Sequence, residues 1–371
     1  MTTRLGVVVL ARPENGGRYQ YTLSTLQALR HTSGFDVTLY GDPADPELAG
    51  TGHLVVPFSE SRPRQLTALA ADQLGVRLAD PFAAEDIVLA PIHSLALLHT
   101  AKPFAYTLHD LQEKHYPENF SAWQRAWRHQ IHARLLRRAR RVICESGYVR
   151  TDIVRHFGVD ERRVAVIAAP PQSQFQCELD GPQLAAAREW MRLPGRFLFY
   201  PAQFWPHKNH MRLIEAFRGV VDDFPDIGLV LTGKKRDEHQ AVMDAVARLG
   251  LTGKVHHLGY VEQSDLHAAY QLATALVMPS LFESVSIPIY EAFQVGTPVI
   301  ASDVVAIPEQ VGDAGLLFDP TSVASIRSAI LKLLKDPELA RKLGQNGRAR
   351  MAAMTPERYG AMLQDVLQTL R

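Results

Sequence analysis

Short apolar runs alternate with longer amphipathic stretches along nearly the whole chain, and this rhythm limits the possible folds more than any other feature. Strands separated by helix-length segments rather than tight turns pair in parallel, because a parallel neighbour needs a crossover connection. In the first half the candidate strands are 5–10, 35–40, 54–58, 86–91, 104–109, 142–145 and 164–168, with helical patterns between most of them, such as 19–30 and 123–138. A second series runs 197–202, 227–232, 255–258, 275–278, 298–301 and 315–318, with helices expected at 211–222, 238–249, 266–272, 288–295 and 323–334. Amphipathic stretches at 337–353 and 356–370 end the chain. Between the two series, Ala169-Pro170-Pro171-Gln172 opens a polar stretch that closes at Leu193-Pro194-Gly195. Proline fixes φ and removes a donor, so this stretch reads as a linker carrying a helix at 183–191. The expectation is an α/β protein of two doubly wound, Rossmann-like domains, 1–182 and 183–353, with a tail at 354–371. Ligands of such sheets sit beyond the carboxyl ends of the strands, so the loops after strands matter most.

Composition narrows the function classes. With 46% hydrophobic and 21% charged residues, 371 residues supply two ordinary cores. No apolar run reaches the roughly 18 residues of a membrane-spanning helix. Arg4 precedes only Leu5-Gly6-Val7-Val8-Val9-Leu10 before Arg12-Pro13-Glu14, which reads as a first strand and not a signal peptide. The two cysteines, Cys144 and Cys177, imply no disulfide framework and a reducing, cytoplasmic setting. No Cys/His spacing resembles a zinc site. A net charge of +1 gives no nucleic-acid signature. The stretch 121–141 is different: it holds seven arginines and no acidic residue, with Trp123 and Trp127 one helical turn apart. It suits either an anionic membrane surface or an ordinary solvated face.

Four motifs carry chemistry. The first is Pro279-Ser280-Leu281-Phe282-Glu283-Ser284-Val285-Ser286-Ile287-Pro288-Ile289-Tyr290-Glu291, which reads as strand, acidic loop and helix start. Pro288 suits a first helical turn, Ser286 falls at the N-cap, and the free N–H groups of such a turn favour an anion such as a diphosphate. Glu283 in the loop can accept sugar hydroxyl hydrogens, and Glu291, farther along the helix, can accept both hydroxyls of a ribose. The second motif, Gln203-Phe204-Trp205-Pro206-His207-Lys208-Asn209, places Lys208 at a strand-to-helix junction, where it can neutralise a diphosphate leaving group. The third, Asn15-Gly16-Gly17, follows the first strand, where glycines let backbone N–H groups approach a ligand. The fourth is Tyr106-Thr107-Leu108-His109-Asp110, at the end of a first-half strand.

Glu283 and Glu291 match the Glu-x₇-Glu spacing of glycosyltransferase family 4, the retaining GT-B enzymes, and the chain resembles that family over essentially its whole length. The resemblance implies an N-terminal acceptor domain, a C-terminal donor domain and a last helix that crosses back to the first domain. It implies that Glu283 contacts the donor hexose and Glu291 the ribose. Lys208 would contact the diphosphate, with the backbone at Ser286, Ile287 and Gly17 close by. His109 would lie near the transferred sugar, and the loop at Tyr260 would surround the base. Two positions depart from the family: Ser286 stands where glycine is common, and Gln203 stands where many relatives have arginine, five residues before the lysine. A neutral amide cannot balance charge, and Lys234 or Lys235 can supply the second cation instead.

The implied activity is retaining, metal-independent transfer of a hexosyl group, mannosyl as first guess, from a nucleoside diphosphate sugar to a glycan or lipid-linked hydroxyl. No cofactor is implied, and no Asp-x-Asp occurs in the chain. No protein nucleophile suits a double displacement, which favours a same-face path. The implied location is cytoplasmic, peripheral at the inner face of the cell membrane, with surface-glycan assembly as the setting. Two other readings stay open: a GT-B sugar-nucleotide epimerase or hydrolase, and a non-catalytic scaffold.

Overall fold

The computed structural model describes residues 2–12, 16–170 and 178–371. Asn15 of the third motif, and residues 171–177 of the expected linker with Cys177, lie outside them. The chain forms two compact units, 1–172 with 354–371, and 173–353.

The first unit is built on seven parallel strands: β1 (Thr3–Val8), β2 (Phe35–Gly41), β3 (Leu54–Pro57), β4 (Ile87–Ala90), β5 (Phe104–Thr107), β6 (Arg141–Cys144) and β7 (Val164–Val166). Their order is β3-β2-β1-β4-β5-β6-β7. Both faces of this sheet are covered, which explains why its central strands read as unbroken apolar runs. Successive side chains point to opposite faces. Val8, Val88, Tyr106 and Val142 pack with Ile131, Leu135 and Leu136 of the helix Ala122–Arg138. Val7, Leu39, Leu89 and Ile143 pack on the other side with Leu26 and Leu29 of the helix Gly17–Leu29. The last helix, Pro356–Gln368, adds Tyr359, Leu363 and Leu367 to this second cluster, so it returns to the first unit as the resemblance implied. Gly360 permits that packing, because a Cβ there would stand 2.7 Å from the Ala28 carbonyl oxygen.

The second unit holds six parallel strands: β8 (Arg196–Pro201), β9 (Ile227–Thr232), β10 (Val255–His257), β11 (Ala275–Met278), β12 (Val299–Ser302) and β13 (Gly315–Phe318). Their order is β10-β9-β8-β11-β12-β13. The helix His210–Asp223 buries Leu213, Ile214, Phe217 and Val220, the spacing of one helical face. The helix Gly181–Trp190 starts with a capping box made by Asp180 and Gln183.

All thirteen expected strands are present, with no end displaced by more than two residues. Arg62–Gln73 and Gly147–Phe157 also form helices between strands of the first unit, without bounds read from the sequence. Each buries only three side chains, a face too narrow to read as a strong period. In each sheet the strand order reverses once, between β1 and β4 and between β8 and β11. The crevice outside the carboxyl ends of such a pair is where doubly wound sheets bind ligands.

Candidate functional site

At the reversal point of the second sheet, the loop after β8 carries Gln203 and Lys208, and the loop after β11 carries Glu283. These loops are stitched together. The Tyr200 hydroxyl donates to the Lys208 carbonyl (2.7 Å), the Leu281 N–H donates to the His207 carbonyl (2.7 Å), and Asn209 Nδ2 donates to the carbonyls of Pro279 (2.9 Å) and Pro320 (2.8 Å). Asn209 turns the chain with a φ of 59° into the helix His210–Asp223, a conformation that asparagine tolerates better than most residues. The outcome is an ion pair between residues 75 apart in sequence: Lys208 Nζ lies 2.5 Å from Glu283 Oε1, with both side chains mostly buried. A cation and a carboxylate are thus held at one point of the crevice.

The helix Ile287–Val295 begins where the sequence placed it, with Ser286 at the N-cap. Its first turn is less open to an anion than expected. The Ser286 N–H donates to Gln310 Oε1 (2.9 Å), and Gln310 Nε2 donates back to the Ser286 carbonyl (2.6 Å). The Ser286 hydroxyl makes no capping bond; it is buried without a partner. Pro288 has no N–H, and that of Ile289 goes to the Ser286 carbonyl. The donors this turn offers a ligand are therefore the Ile287 N–H and the Ser286 hydroxyl.

Glu291 is 4% exposed, and its Oε2 accepts from the Tyr270 hydroxyl (2.7 Å). Burial pushes its carboxyl up to about 7, with the Tyr270 hydrogen bond pulling the other way. The expected ribose acceptor is thus a desolvated carboxyl with one oxygen already occupied.

Gln203 has a partner that sequence reasoning missed. Its Oε1 accepts from Arg236 Nε (3.0 Å), and the Arg236 guanidinium lies 5.0 Å from the Trp205 ring centre. The cation at this point is therefore Arg236. Lys234 instead lies over the Tyr260 ring, 5.7 Å from its centre, and Tyr260 is exposed. The signal was the run Lys234-Lys235-Arg236, but the register of that turn was not legible. Gly233 sets it with a φ of 117°, its Cα lying so close to the Ala202 backbone that a Cβ would meet the Ala202 oxygen at 2.6 Å.

In the first unit, Gly17 opens the helix after β1, and Gly16 caps it with φ 57° and ψ −119°, a conformation suited to glycine. His109 follows β5. Its Nδ1 lies 3.0 Å from Glu145 Oε2 and its Nε2 lies 2.9 Å from the Pro91 carbonyl oxygen, so the Nε2 proton is committed to Pro91. Tyr21 meets the imidazole edge-on at 4.7 Å. With both nitrogens engaged, the imidazole is held in place between Glu145 and Pro91. Beside it, Asp110 binds Arg128 (2.7 Å) and Arg18 (3.5 Å). Burial pushes the Asp110 carboxyl up, but Arg128 and Arg18 outweigh it and hold the group at about 2. A cavity of about 960 Å³ lined by Arg12, Arg18, Tyr19, Asp45, Glu60 and His93 lies next to this cluster.

The arginines of 121–141 are largely committed inside the first unit. Arg128 pairs with Asp110 and Glu113, Arg134 and Arg138 with Asp72, and Arg140 donates to the Thr369 carbonyl (2.6 Å). Arg125 and Arg137 remain exposed, as does Trp123.

Two doubly wound parallel sheets, the second with a lysine–glutamate pair at its reversal point, place this protein in the GT-B class. The chain belongs to glycosyltransferase family 4: the family description "Glycosyl transferases group 1" matches residues 191–350, and "Glycosyltransferase Family 4" matches 15–169. The O-antigen chain mannosyltransferase B of Escherichia coli is 30% identical over 53% of this chain and 52% of its own length. The O-antigen chain mannosyltransferase RfbU of Salmonella typhimurium is 25% identical over 87% of this chain and 88% of its own. The chain thus spans about half of the first relative and most of the second. Among solved structures, Anabaena Alr3699/HepE in complex with UDP and glucose shares the fold, with a TM-score of 0.77 at 20% identity over 99% of both chains. WaaG, a glycosyltransferase involved in lipopolysaccharide biosynthesis, does so with a TM-score of 0.70 at 16% identity, over 98% of this chain and 99% of that one.

Proposed function

We propose that the protein transfers a hexosyl group, mannosyl first, from a nucleoside diphosphate sugar to a hydroxyl of a glycan or lipid-linked acceptor, with retention of configuration. The observation that carries this reading is the Lys208–Glu283 pair at the reversal point of the second sheet. The mannosyltransferase relatives support the sugar, and a structure of the same fold with UDP and glucose bound supports the donor class. The barrier is separation of an oxocarbenium-like sugar from a diphosphate. Lys208 and Arg236 stabilise the charge that grows on the leaving group, assisted by the donors at Ser286 and Ile287. Glu283 accepts from hexose hydroxyls and Glu291 from the ribose. Gly17 gives backbone access to the phosphates, and the loop at Tyr260 packs by the base. His109, held by Glu145 and Pro91, shapes the sugar pocket. The departing phosphate takes the acceptor proton on the same face of the sugar, and no metal takes part.

The test is turnover of GDP-mannose, UDP-glucose and ADP-glucose with and without acceptor glycan, in buffer containing EDTA. Acceptor-dependent release of GDP with an α-linked product is expected. Release or isomerisation of sugar without acceptor would replace the proposal with the epimerase or hydrolase reading. Binding without turnover would replace it with the scaffold reading.

We place the protein in the cytoplasm, at the inner face of the membrane, with the exposed edge of 121–141 facing anionic lipid. Among the described residues no helix is long and apolar enough to cross a membrane. Trp123, Arg125 and Arg137 are the groups left to make that contact. The double change Arg125→Gln and Arg137→Gln is expected to reduce co-sedimentation with anionic vesicles about fivefold, each cation contributing about 1 kcal/mol at a surface before screening. Unchanged binding would remove the proposal. Arg134 and Arg138 are poor choices for this test, since both hold Asp72.

A further inference from the structure

His115, Asp152 and His156 bring their donor atoms within 4.8 Å of one another. Asp152 and His156 lie one helical turn apart on the helix Gly147–Phe157, and His115 ends the short helix Gln112–His115. The Asp152 carboxylate faces an imidazole Nε2 on each side: that of His115 at 2.5 Å from Oδ2, and that of His156 at 3.9 Å from Oδ1. A hydrogen bond accounts for the first contact. The second is too long for one. Neighbouring Lys114 reaches His129 Nδ1 (3.3 Å) and lies over the face of Phe157 (5.8 Å).

From this geometry we propose that His115, Asp152 and His156 bind one zinc-class divalent cation. Two imidazole nitrogens and one carboxylate oxygen suit zinc or cobalt and not magnesium or calcium, which prefer all-oxygen sites. The two histidines are each about a quarter exposed while Asp152 is buried, which leaves room for water as a fourth ligand. Binding needs a lone pair on His115 Nε2, so its ring proton moves to Nδ1. There the Tyr148 hydroxyl oxygen, 3.4 Å away, accepts it, the kind of outer partner that orients a ligating histidine. The cation joins the segment after β5 to the helix after β6. His109 and Glu145 already link those same two connections at 3.0 Å, so the cation steadies the segment that carries His109. It serves the structure, and the transfer step proposed above does not use it.

The test uses the full chain, freed of metal, titrated with cobalt chloride and zinc chloride. One equivalent of cobalt with visible ligand-field absorption is expected, displaced by zinc. Zinc at about a hundredfold excess over its Kd should raise the thermal midpoint by about 5 °C. His156→Ala and His156→Gln should abolish both responses while keeping the native circular dichroism and the basal transfer rate. Tyr148→Phe should weaken binding about tenfold. The proposal is overturned if the native chain takes up no cobalt at about 100 μM. It is equally overturned if either His156 variant binds one equivalent as tightly as the native chain.

Discussion

Replacing Lys208 with alanine is expected to lower kcat about 10²–10³-fold, with KM for the donor changed far less, the effect of removing one preorganised group aimed at developing charge. The loss falls on kcat because the leaving diphosphate is more negative in the transition state than in the bound donor. Lys208 belongs to no helix interior or core cluster, so the fold survives its loss. Glu283, however, is only 11% exposed and loses its partner at 2.5 Å. Leaving such a group unpaired costs about 1–3 kcal/mol. The double change Lys208→Ala with Glu283→Gln should therefore recover much of the thermal stability and none of the activity. Arg236→Ala should cost less, about tenfold, because Arg236 is exposed and its charge is screened. Steady-state kinetics with thermal melts separate these effects. A kcat for the alanine variant within about threefold of native would show that Lys208 does not meet the leaving group.

Glu291→Gln is expected to change the pH dependence of both stability and nucleotide binding. The native carboxyl titrates near 7 in place of 4.5 because burial penalises its charge. With a raised pKa, the folded protein holds a proton that the unfolded chain has released between pH 4.5 and 7, so native stability falls as pH rises through that window. The full difference across the window amounts to about 3 kcal/mol, since each pH unit within it contributes about 1.4 kcal/mol. Native and variant proteins should thus have similar stability near pH 4, and the glutamine variant should be the more stable one at pH 8. Tyr270 can still donate to the glutamine oxygen, so its hydrogen bond at 2.7 Å is retained. Nucleotide affinity should move in the opposite sense. The ionised carboxylate accepts both ribose hydroxyls better than the acid, so native affinity rises through pH 7 while that of the variant stays low and flat. Denaturant melts and calorimetric nucleotide titrations across pH 5–8 test both trends. Parallel native and variant stability curves would mean that Glu291 titrates as an ordinary carboxyl.

Much of this architecture was legible in the sequence because its information is local. A buried parallel strand must be apolar on both faces, and the turn that follows it needs glycine, proline or a capping side chain. Hence β8, the turn Pro206-His207-Lys208 and the helix start at Ser286-Ile287-Pro288 could be read without coordinates. The spacing of Glu283 and Glu291 pointed to the same family that the comparisons show. What a helix start offers a ligand was less legible, since Gln310, 24 residues beyond Ser286, takes both backbone groups of that residue.

Which segments become strands, which become helices, and which loops leave the carboxyl ends of the sheets were all set by apolar periodicity and turn chemistry within a few residues. Which side chains meet was settled by tertiary packing alone. Lys208 and Glu283 are 75 residues apart, Gln203 and Arg236 are 33 apart, and His115 and Asp152 are 37 apart. Each pair forms because two loops emerge from strands that sit side by side or nearly so in the sheet. Strand order results from how whole helices and strands pack, and no local pattern encodes it.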